Sequence, residues 1–519
     1  MVLFKMIRRG RGWFALPGAA AAAAALMLTP STSDDDVYDV AVIGGGIVGL
    51  AIARECAVRN YRVALFEKED CFAAQASSGN SGLGCTGYDS PKGSLERKLL
   101  RRSIRLHQNL YRSFGLSHAH VKKCGSLVVA WTPEQMKKLP TVLEENRDAG
   151  DVDAQLLSRD ELLELEPNLS SRALGAVLCP YEAIVEPWLV PIGYAESARR
   201  HGARLQTNSA VTGATFDPAA KIWRLCVQKT SNRSVGRSLS TKELLVQNVP
   251  EPAISANAEK AEVKARVVIN AAGLYGDRVE KMRNEKHPST FTITPRKGQF
   301  VVFKVPESDS SAPFTERIIE PVATQFTKGV IAWTTVYGNV IVGPTAVDQA
   351  SRDDRSTDEA TIQKLIDYGK SVLPALSNAE VVGTYSGLRP ASEHRDYVIA
   401  SDAEHQWISV GGIRSTGLTA SSGIGEYVAD LHEKIKRPEY IPWADRADGD
   451  VNALPGVSES ACNPLPVARE PLRNPLVPPL EELARDYRDR GDGTVRVYGR
   501  IHRVTHPISS FGMETLPCE

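Results

Sequence analysis

The chain has 519 residues, with 62 Lys plus Arg against 62 Asp plus Glu, so its formal net charge is zero. That balance, without a dense basic run in the body of the chain, argues against a nucleic-acid partner, and the length allows two or three domains. The eight cysteines (Cys56, Cys71, Cys85, Cys124, Cys179, Cys226, Cys462 and Cys518) stand singly, with no Cys-x-x-Cys pair for a metal, an iron–sulfur cluster or a redox dithiol. No metal is expected, and a reducing compartment fits best.

The first 33 residues carry Lys5, Arg8, Arg9 and Arg11 and no acid, then an alanine-rich run from Ala15 to Leu28, with Asp34-Asp-Asp36 after it. Residues 1–36 read as a targeting segment. Its apolar stretch is shorter than the ~20 residues a membrane span needs. The arginines favour a mitochondrial presequence and the alanine run a secretory signal; the unpaired cysteines tip the balance towards the mitochondrion.

Asp39-Val-Ala-Val-Ile43 is a short apolar run suited to a strand buried on both faces. Gly44-Gly-Gly-Ile-Val-Gly49 follows without a spacer, Leu50-Ala-Ile-Ala-Arg-Glu-Cys-Ala reads as a helix, and Arg62 to Phe66 is a second strand ending in Glu67. Gly44 permits the tight turn, Gly46 lets main-chain amides approach a pyrophosphate, and Gly49 brings the helix close to the strand. The helix N-terminus presents free N–H groups to the phosphates, and Glu67 is placed to accept from a ribose hydroxyl. Strand, glycine turn, helix, strand and carboxylate together indicate a dinucleotide site.

Beyond it, Ser77-Ser-Gly-Asn-Ser-Gly82 is a polar loop and Ser94 the N-cap of a helix carrying Leu95, Leu99, Leu106, Leu110 and Phe114 on one face. Gly125 to Trp131 reads as a strand, Thr132 to Gly150 and Ser158 to Leu165 as helices, and Trp188 to His201 as another. Strands follow at Arg204 to Thr207, Ala210 to Phe216 and Trp223 to Val227, then a polar insertion to Glu262. Arg266-Val-Val-Ile-Asn-Ala-Ala-Gly273 returns the chain to the nucleotide sheet, so that domain is discontinuous. Lys297 to Phe303, Val330 to Trp333 and Asn339 to Gly343 are further strands, the last two an antiparallel pair around Tyr337-Gly338. Gly387-Leu-Arg-Pro390 reads as a turn, followed by Asp396 to Ile399 and Trp407 to Arg414, then a helix opened by Ser-Thr-Gly-Leu-Thr-Ala420. From Pro438 the chain is proline-rich, with a short helix near Leu480 and a hairpin through Gly499, and reads as an appendage.

The glycine unit, Ser77-Ser-Gly-Asn-Ser-Gly82, Val268-Ile-Asn-Ala-Ala-Gly273 and Gly412-Ile-Arg-Ser-Thr-Gly-Leu-Thr419, in this order, resemble the D-amino-acid oxidase superfamily of FAD-dependent oxidoreductases. Within it the chain is most similar to the glycerol-3-phosphate oxidase and L-2-hydroxyglutarate dehydrogenase groups, through Gly93-Ser-Leu-Glu96, Glu166-Pro-Asn-Leu169, Pro295-Arg-Lys-Gly298, Thr327-Lys-Gly329, Gly338 to Thr345 and Gly387-Leu-Arg-Pro390. The resemblance implies an α/β fold: a Rossmann-like FAD-binding domain (37–90, 196–290 and 380–437) and a mixed or antiparallel-sheet substrate domain (91–195 and 291–379), with 438–519 as an extension. FAD would lie on Gly44, Gly46, Gly49 and Glu67, with Val211 also at the cofactor. Its flavin would lie near Ser78, Asn80, Ser81, Gly273, Gly412, Gly417, Leu418 and Thr419, where a glycine turn opening a helix faces developing negative charge.

Arg389 and Arg414 are the expected contacts of an anionic substrate, since a guanidinium offers paired donors to a carboxylate or phosphate. The related sequences read Asn-Ser-Gly-x-x-His-x-Gly, whereas this chain reads Asn80-Ser-Gly-Leu-Gly-Cys85-Thr-Gly87. A hydroxyl substrate needs a base and a neutral amine does not. His394 is the replacement imidazole to consider; Cys85 is either a packed residue or a thiolate. The expected activity is hydride removal beside a hydroxyl of a small anionic substrate, a 2-hydroxy acid or glycerol 3-phosphate. An amine or amino-acid oxidase and a non-catalytic flavoprotein acting in assembly are the alternatives. Electrons would leave to oxygen or a quinone, and peripheral membrane association is left open.

Overall fold

The computed structural model describes residues 37–230, 254, 258–283, 290–306, 313–323, 329–446 and 477–517. The N-terminal targeting segment, Cys462, Cys518, Thr327, Lys328 and most of the polar insertion before Glu262 lie outside the described residues.

Among the described residues, eight strands form the first sheet. At its centre β1 (Val37–Ile43) runs parallel to β2 (Val63–Phe66) on one side and to the strand Lys260–Asn270 on the other, with Val40 opposite both Val63 and Val267. These strands are apolar because both faces are covered: Val40, Ala41, Val42, Val63, Ala64 and Leu65 have no exposed surface. The helix α1 (Ile47–Val58) crosses one face between them. Arg204–Gln206 extends the sheet beyond β2 in parallel, and Trp407–Gly411 pairs in parallel with the far side of Lys260–Asn270, so the sheet is assembled from segments far apart in the chain.

The helix Gly417–Lys436 lies against both α1 and the helix Leu95–Ser113. Small residues make that closeness feasible. A Cβ on Gly425 would sit 2.9 Å from the Ala51 carbonyl oxygen, and one on Gly423 2.5 Å from the Leu99 carbonyl oxygen. Ion pairs at the rim, Arg59 with Asp430 (2.9 Å) and Arg102 with both oxygens of Glu426 (2.6 Å each), fix the helix in rotation. The turn before Gly417 is therefore held by the core rather than by its own loop. Ser94 caps the Leu95–Ser113 helix as its sequence indicates, accepting from Arg97 N at 3.2 Å.

Among the described residues the second sheet has nine strands and is mixed: Ile318–Pro321 runs parallel to Ser126–Ala130, and the remaining pairings are antiparallel. Its spine is the pair Ile293–Lys304 and Glu380–Ser392. Here two expectations are corrected. Gly387-Leu-Arg-Pro390 is the middle of a 13-residue strand, not a turn, and residues 380–392 belong by sheet membership with the substrate-domain strands, not the nucleotide sheet. The reason is tertiary: Pro390 lies opposite Pro295 and Gly387 opposite Gly298, so the missing donors coincide at one rung and the two glycines at another.

Two further readings change. The helix expected over Thr132 to Gly150 is broken into Pro133–Met136 and Leu139–Asp148, with Pro140 at the start of the second piece. The C-terminal region is not an appendage: besides the helix Leu480–Arg490 and the hairpin Thr494–Val497 with Arg500–Arg503, it adds the buried helix Pro507–Thr515.

Candidate active site

The three glycines of the first turn differ in their surroundings. Gly44 has φ +111°, and a Cβ there would sit 2.5 Å from the Ala271 carbonyl oxygen. A Cβ on Gly49 would drive into the Gly44 carbonyl. Gly46 is the N-cap of α1 in an ordinary extended conformation, and its Cβ would meet only the Ser77 hydroxyl, at 3.2 Å. Space for a phosphate is thus kept at the one glycine that faces the start of the helix. No side chain of the cap residue occupies that helix end, and Ile47 N–H donates to Ser77 Oγ at 3.0 Å. Glu67 closes β2, with Oε2 accepting from Gly45 N–H (2.6 Å) and Oε1 from Glu69 N–H (2.8 Å). Burial pushes its carboxyl up to about 7 in spite of these donors. Glycine turn, helix N-terminus and carboxyl fit the pyrophosphate and ribose of an FAD.

Val211 is buried on the strand Ser209–Asp217 beside a register shift, and Gly273 has φ +51° just after the Lys260–Asn270 strand, with nothing near the position of an added Cβ. Ser78 is buried; its hydroxyl donates to the carbonyls of Ala74 (3.0 Å) and Gln75 (2.8 Å) and accepts from Arg355 Nη1 at 3.3 Å. Asn80 braces its own loop, donating to Ser77 O and accepting from Gly82 N–H, both at 2.8 Å. Ser81 is half-buried between them. The loop lies directly on the second sheet, since a Cβ on Gly387 would penetrate the Gly79 main chain.

Cys85 and the Gly412–Thr419 turn meet. Cys85 N–H donates to Thr419 Oγ1 at 3.1 Å, and the thiol lies 3.6 Å from the same oxygen. Gly412 has φ +68° with the Ser392 hydroxyl 3.0 Å from a Cβ placed there, and Gly417 and Leu418 begin the long helix. Behind the turn, Tyr397 Oη contacts Thr416 Oγ1 (2.5 Å), which donates to Glu96 (2.6 Å).

The two arginines have separate partners. Arg389 donates through both terminal nitrogens to the Thr345 carbonyl (3.2 and 3.1 Å), with no carboxylate in salt-bridge range among the described residues. Burial, helped by Arg296, pushes its guanidinium down to about 10. A half-buried cation without a counter-charge is a ready receptor for an anion. Arg414 donates instead to the Arg395 carbonyl. His394 is half exposed, its Nε2 3.1 Å from the Thr290 carbonyl and 3.7 Å from Glu393.

Other side chains at these loops escape a motif search. Arg355, Tyr385 and His107 carry no local signal: Arg355 ties the Ala74 carbonyl (2.8 Å), Tyr385 Oη donates to the Asn80 carbonyl (3.3 Å), and His107 Nε2 lies 2.9 Å from the Thr419 carbonyl.

A family model described as FAD dependent oxidoreductase (DAO) matches residues 39–431. A glycerol 3-phosphate dehydrogenase of Caloramator mitchellensis is 27% identical over 403 residues, covering 77% of this chain and 75% of the relative. The mitochondrial L-2-hydroxyglutarate dehydrogenase of Bos taurus is 27% identical over 324 residues, 60% of this chain and 61% of that protein. In three dimensions the chain is similar to the dithionite-reduced L-alpha-glycerophosphate oxidase of Mycoplasma pneumoniae with FAD bound: TM-score 0.63, 25% identity, 76% of this chain and 95% of that one. A glycine oxidase of Geobacillus kaustophilus shares the fold (TM-score 0.62, 23% identity, 77% of this chain and 95% of that one).

Proposed function

The chain belongs to the DAO family of FAD-dependent oxidoreductases, and from that membership we propose that it removes hydride from a carbon bearing a hydroxyl in a small anionic substrate, a 2-hydroxy acid or glycerol 3-phosphate. FAD, once bound, supplies the hydride acceptor. Gly44, Gly46, Gly49 and Glu67 would hold its pyrophosphate and ribose, and Ser78, Asn80, Ser81, Gly273 and the 412–419 turn its flavin. The observation that carries the substrate's charge is Arg389, a half-buried guanidinium bonded to one main-chain oxygen. It would bind and orient the anionic group, so that the reacting C–H is presented in one pose.

One observation favours a second reading, oxidation of an amine. Cys85, where the related sequences carry histidine, offers its sulfur to a threonine hydroxyl and no imidazole to take a hydroxyl proton, whereas a neutral amine needs no such base. Anaerobic mixing with glycerol 3-phosphate, L-2-hydroxyglutarate, other 2-hydroxy acids and amino acids, followed by bleaching of the oxidised flavin band, separates the readings. Bleaching by amino acids alone overturns the hydroxyl assignment.

Oxygen or a quinone is the proposed electron acceptor, and a mitochondrial presequence at 1–36 the proposed address, supported by its arginines and lack of acids before Asp34. No described helix is long and apolar enough to cross a membrane. A chain beginning at Asp34 is expected to fold, to hold FAD and to lose organelle import. Import without the segment would remove the address assignment.

A further inference from the structure

The family match ends at residue 431, yet residues 477–517 reach both loops that serve the proposed FAD site. Arg503 pairs with Asp70 at 2.7 Å, and Thr505 Oγ1 donates to the Ala73 carbonyl at 3.2 Å. Ala73 N–H in turn donates to the Gly45 carbonyl at 3.0 Å, so this strut ends on the phosphate-facing turn. Further on, Phe511 fills the face of Gly383, and Ser509 joins Tyr337 on the Glu186 carboxylate.

Between these anchors stands His506, 1% exposed. Its Nδ1 accepts from Ile508 N–H at 3.2 Å and caps the helix Pro507–Thr515. That bond assigns the proton of the neutral ring to Nε2. Nε2 makes no full hydrogen bond among the described residues; the one main-chain carbonyl that acts on the ring, through a looser contact, is that of Asn80. The ring stands edge-on to Tyr385, 6.2 Å between centroids, and Tyr385 Oη already donates to the same carbonyl. A buried donor held by so loose a contact is incompletely satisfied, so loss of that contact or of the donor is felt at the loop.

We propose that His506 is a positioning residue of the FAD site: its Nε2–H is directed to the Asn80 carbonyl and holds the loop carrying Ser78, Asn80 and Ser81 in the conformation that FAD would need. The C-terminal segment is then a working part of the site, contributing an imidazole to a loop whose own histidine position holds Cys85. This rests on the assignment of that loop to FAD.

The test compares His506→Asn and His506→Phe in the full-length holoenzyme with Phe511→Leu as a packing control. Two temperatures are followed on one sample, release of FAD fluorescence and unfolding of tryptophan fluorescence, together with the rate of FAD loss below both. Asparagine is a good N-cap but too short to reach Asn80, so it keeps the cap and loses the donor. Both His506 variants should shed FAD about tenfold faster than the parent. In His506→Asn, FAD release should separate from tryptophan unfolding, whereas in Phe511→Leu the two should fall together. A His506→Asn protein that keeps FAD as the parent does overturns the proposal, as does FAD loss that only tracks unfolding. Gly46→Val guards the premise: if it retains FAD, the site assignment itself fails; if it loses FAD while His506→Asn does not, only the role of His506 fails.

Discussion

Gly46 differs from its neighbours in what a side chain would meet. Substituting Gly44 or Gly49 forces a Cβ into main-chain carbonyls and breaks the turn, whereas Gly46, extended and facing only Ser77 Oγ, tolerates a side chain as far as the fold is concerned. Gly46→Val should therefore purify folded, with a melting temperature like that of the FAD-stripped parent and no bound FAD, read from its visible absorbance. Retained flavin would place the pyrophosphate elsewhere. Arg389 supports a second expectation. Replacing it by Lys keeps the charge and loses the fork, which should cost about 3 kcal/mol, some two orders of magnitude in kcat/KM, at unchanged FAD content. If kinetics stay normal, the substrate's anion is held by another group. The sequence marks both residues because each sits in a short motif with its own chemistry. Arg355, Tyr385 and His506 are invisible there, since their meaning comes only from the loop they touch.

At the level of elements, the Ser77–Gly82 loop, proposed to face the flavin, and the second sheet meet through two glycines. Gly79 and Gly387 touch main chain to main chain, so Gly387→Ala should push the loop off the sheet. The expected outcome is a loss of FAD affinity of at least tenfold, with the sheet still formed, measured by flavin retention on dilution and by circular dichroism. An alanine variant with parent-like retention would show that the loop can yield without consequence. The first strand, its glycine turn and α1 were legible because periodicity and glycine spacing are local signals. Glu380–Ser392 was not, because a Gly and a Pro inside four residues imitate a turn until the facing strand, with its own Pro295 and Gly298, is known.

The whole molecule keeps several imidazoles neutral in its interior. His432 has no hydrogen-bond partner on either nitrogen among the described residues and stands edge-on to Tyr61 at 4.4 Å. Burial pushes it and His506 down to about 3, and His107 and His502 to about 4. Unfolded, each ring takes a proton below about 6.5, so lowering the pH favours the unfolded chain by about 1.4 kcal/mol per pH unit per ring until the folded value is reached. Glu67 and Glu182 act with the opposite sign. Burial raises them to about 7 and about 8, so the folded state binds their protons first and gains stability as pH falls from about 8 to about 4.5. Below that their help ends and the histidine penalty stands alone. Melting temperature should drop steeply under pH 4.5, and His432→Phe should gain about 3 kcal/mol on the parent between pH 7.5 and 4.5. An equal difference at both pH values would mean that His432 is not held neutral.

The C-terminal helix escaped sequence analysis because Pro507-Ile-Ser-Ser-Phe-Gly-Met-Glu-Thr515 has little helical periodicity, and its partners Glu186, Tyr337 and Gly383 lie more than 100 residues away. Its anchorage has a consequence for biosynthesis. Of the residues that brace the Gly44–Gly49 turn and the Asn80 loop, Thr505 leaves the ribosome 432 residues after the Ala73 that it holds. Durable cofactor capture therefore waits until synthesis has passed these residues, and nascent chains arrested before Arg503 should associate with FAD only transiently.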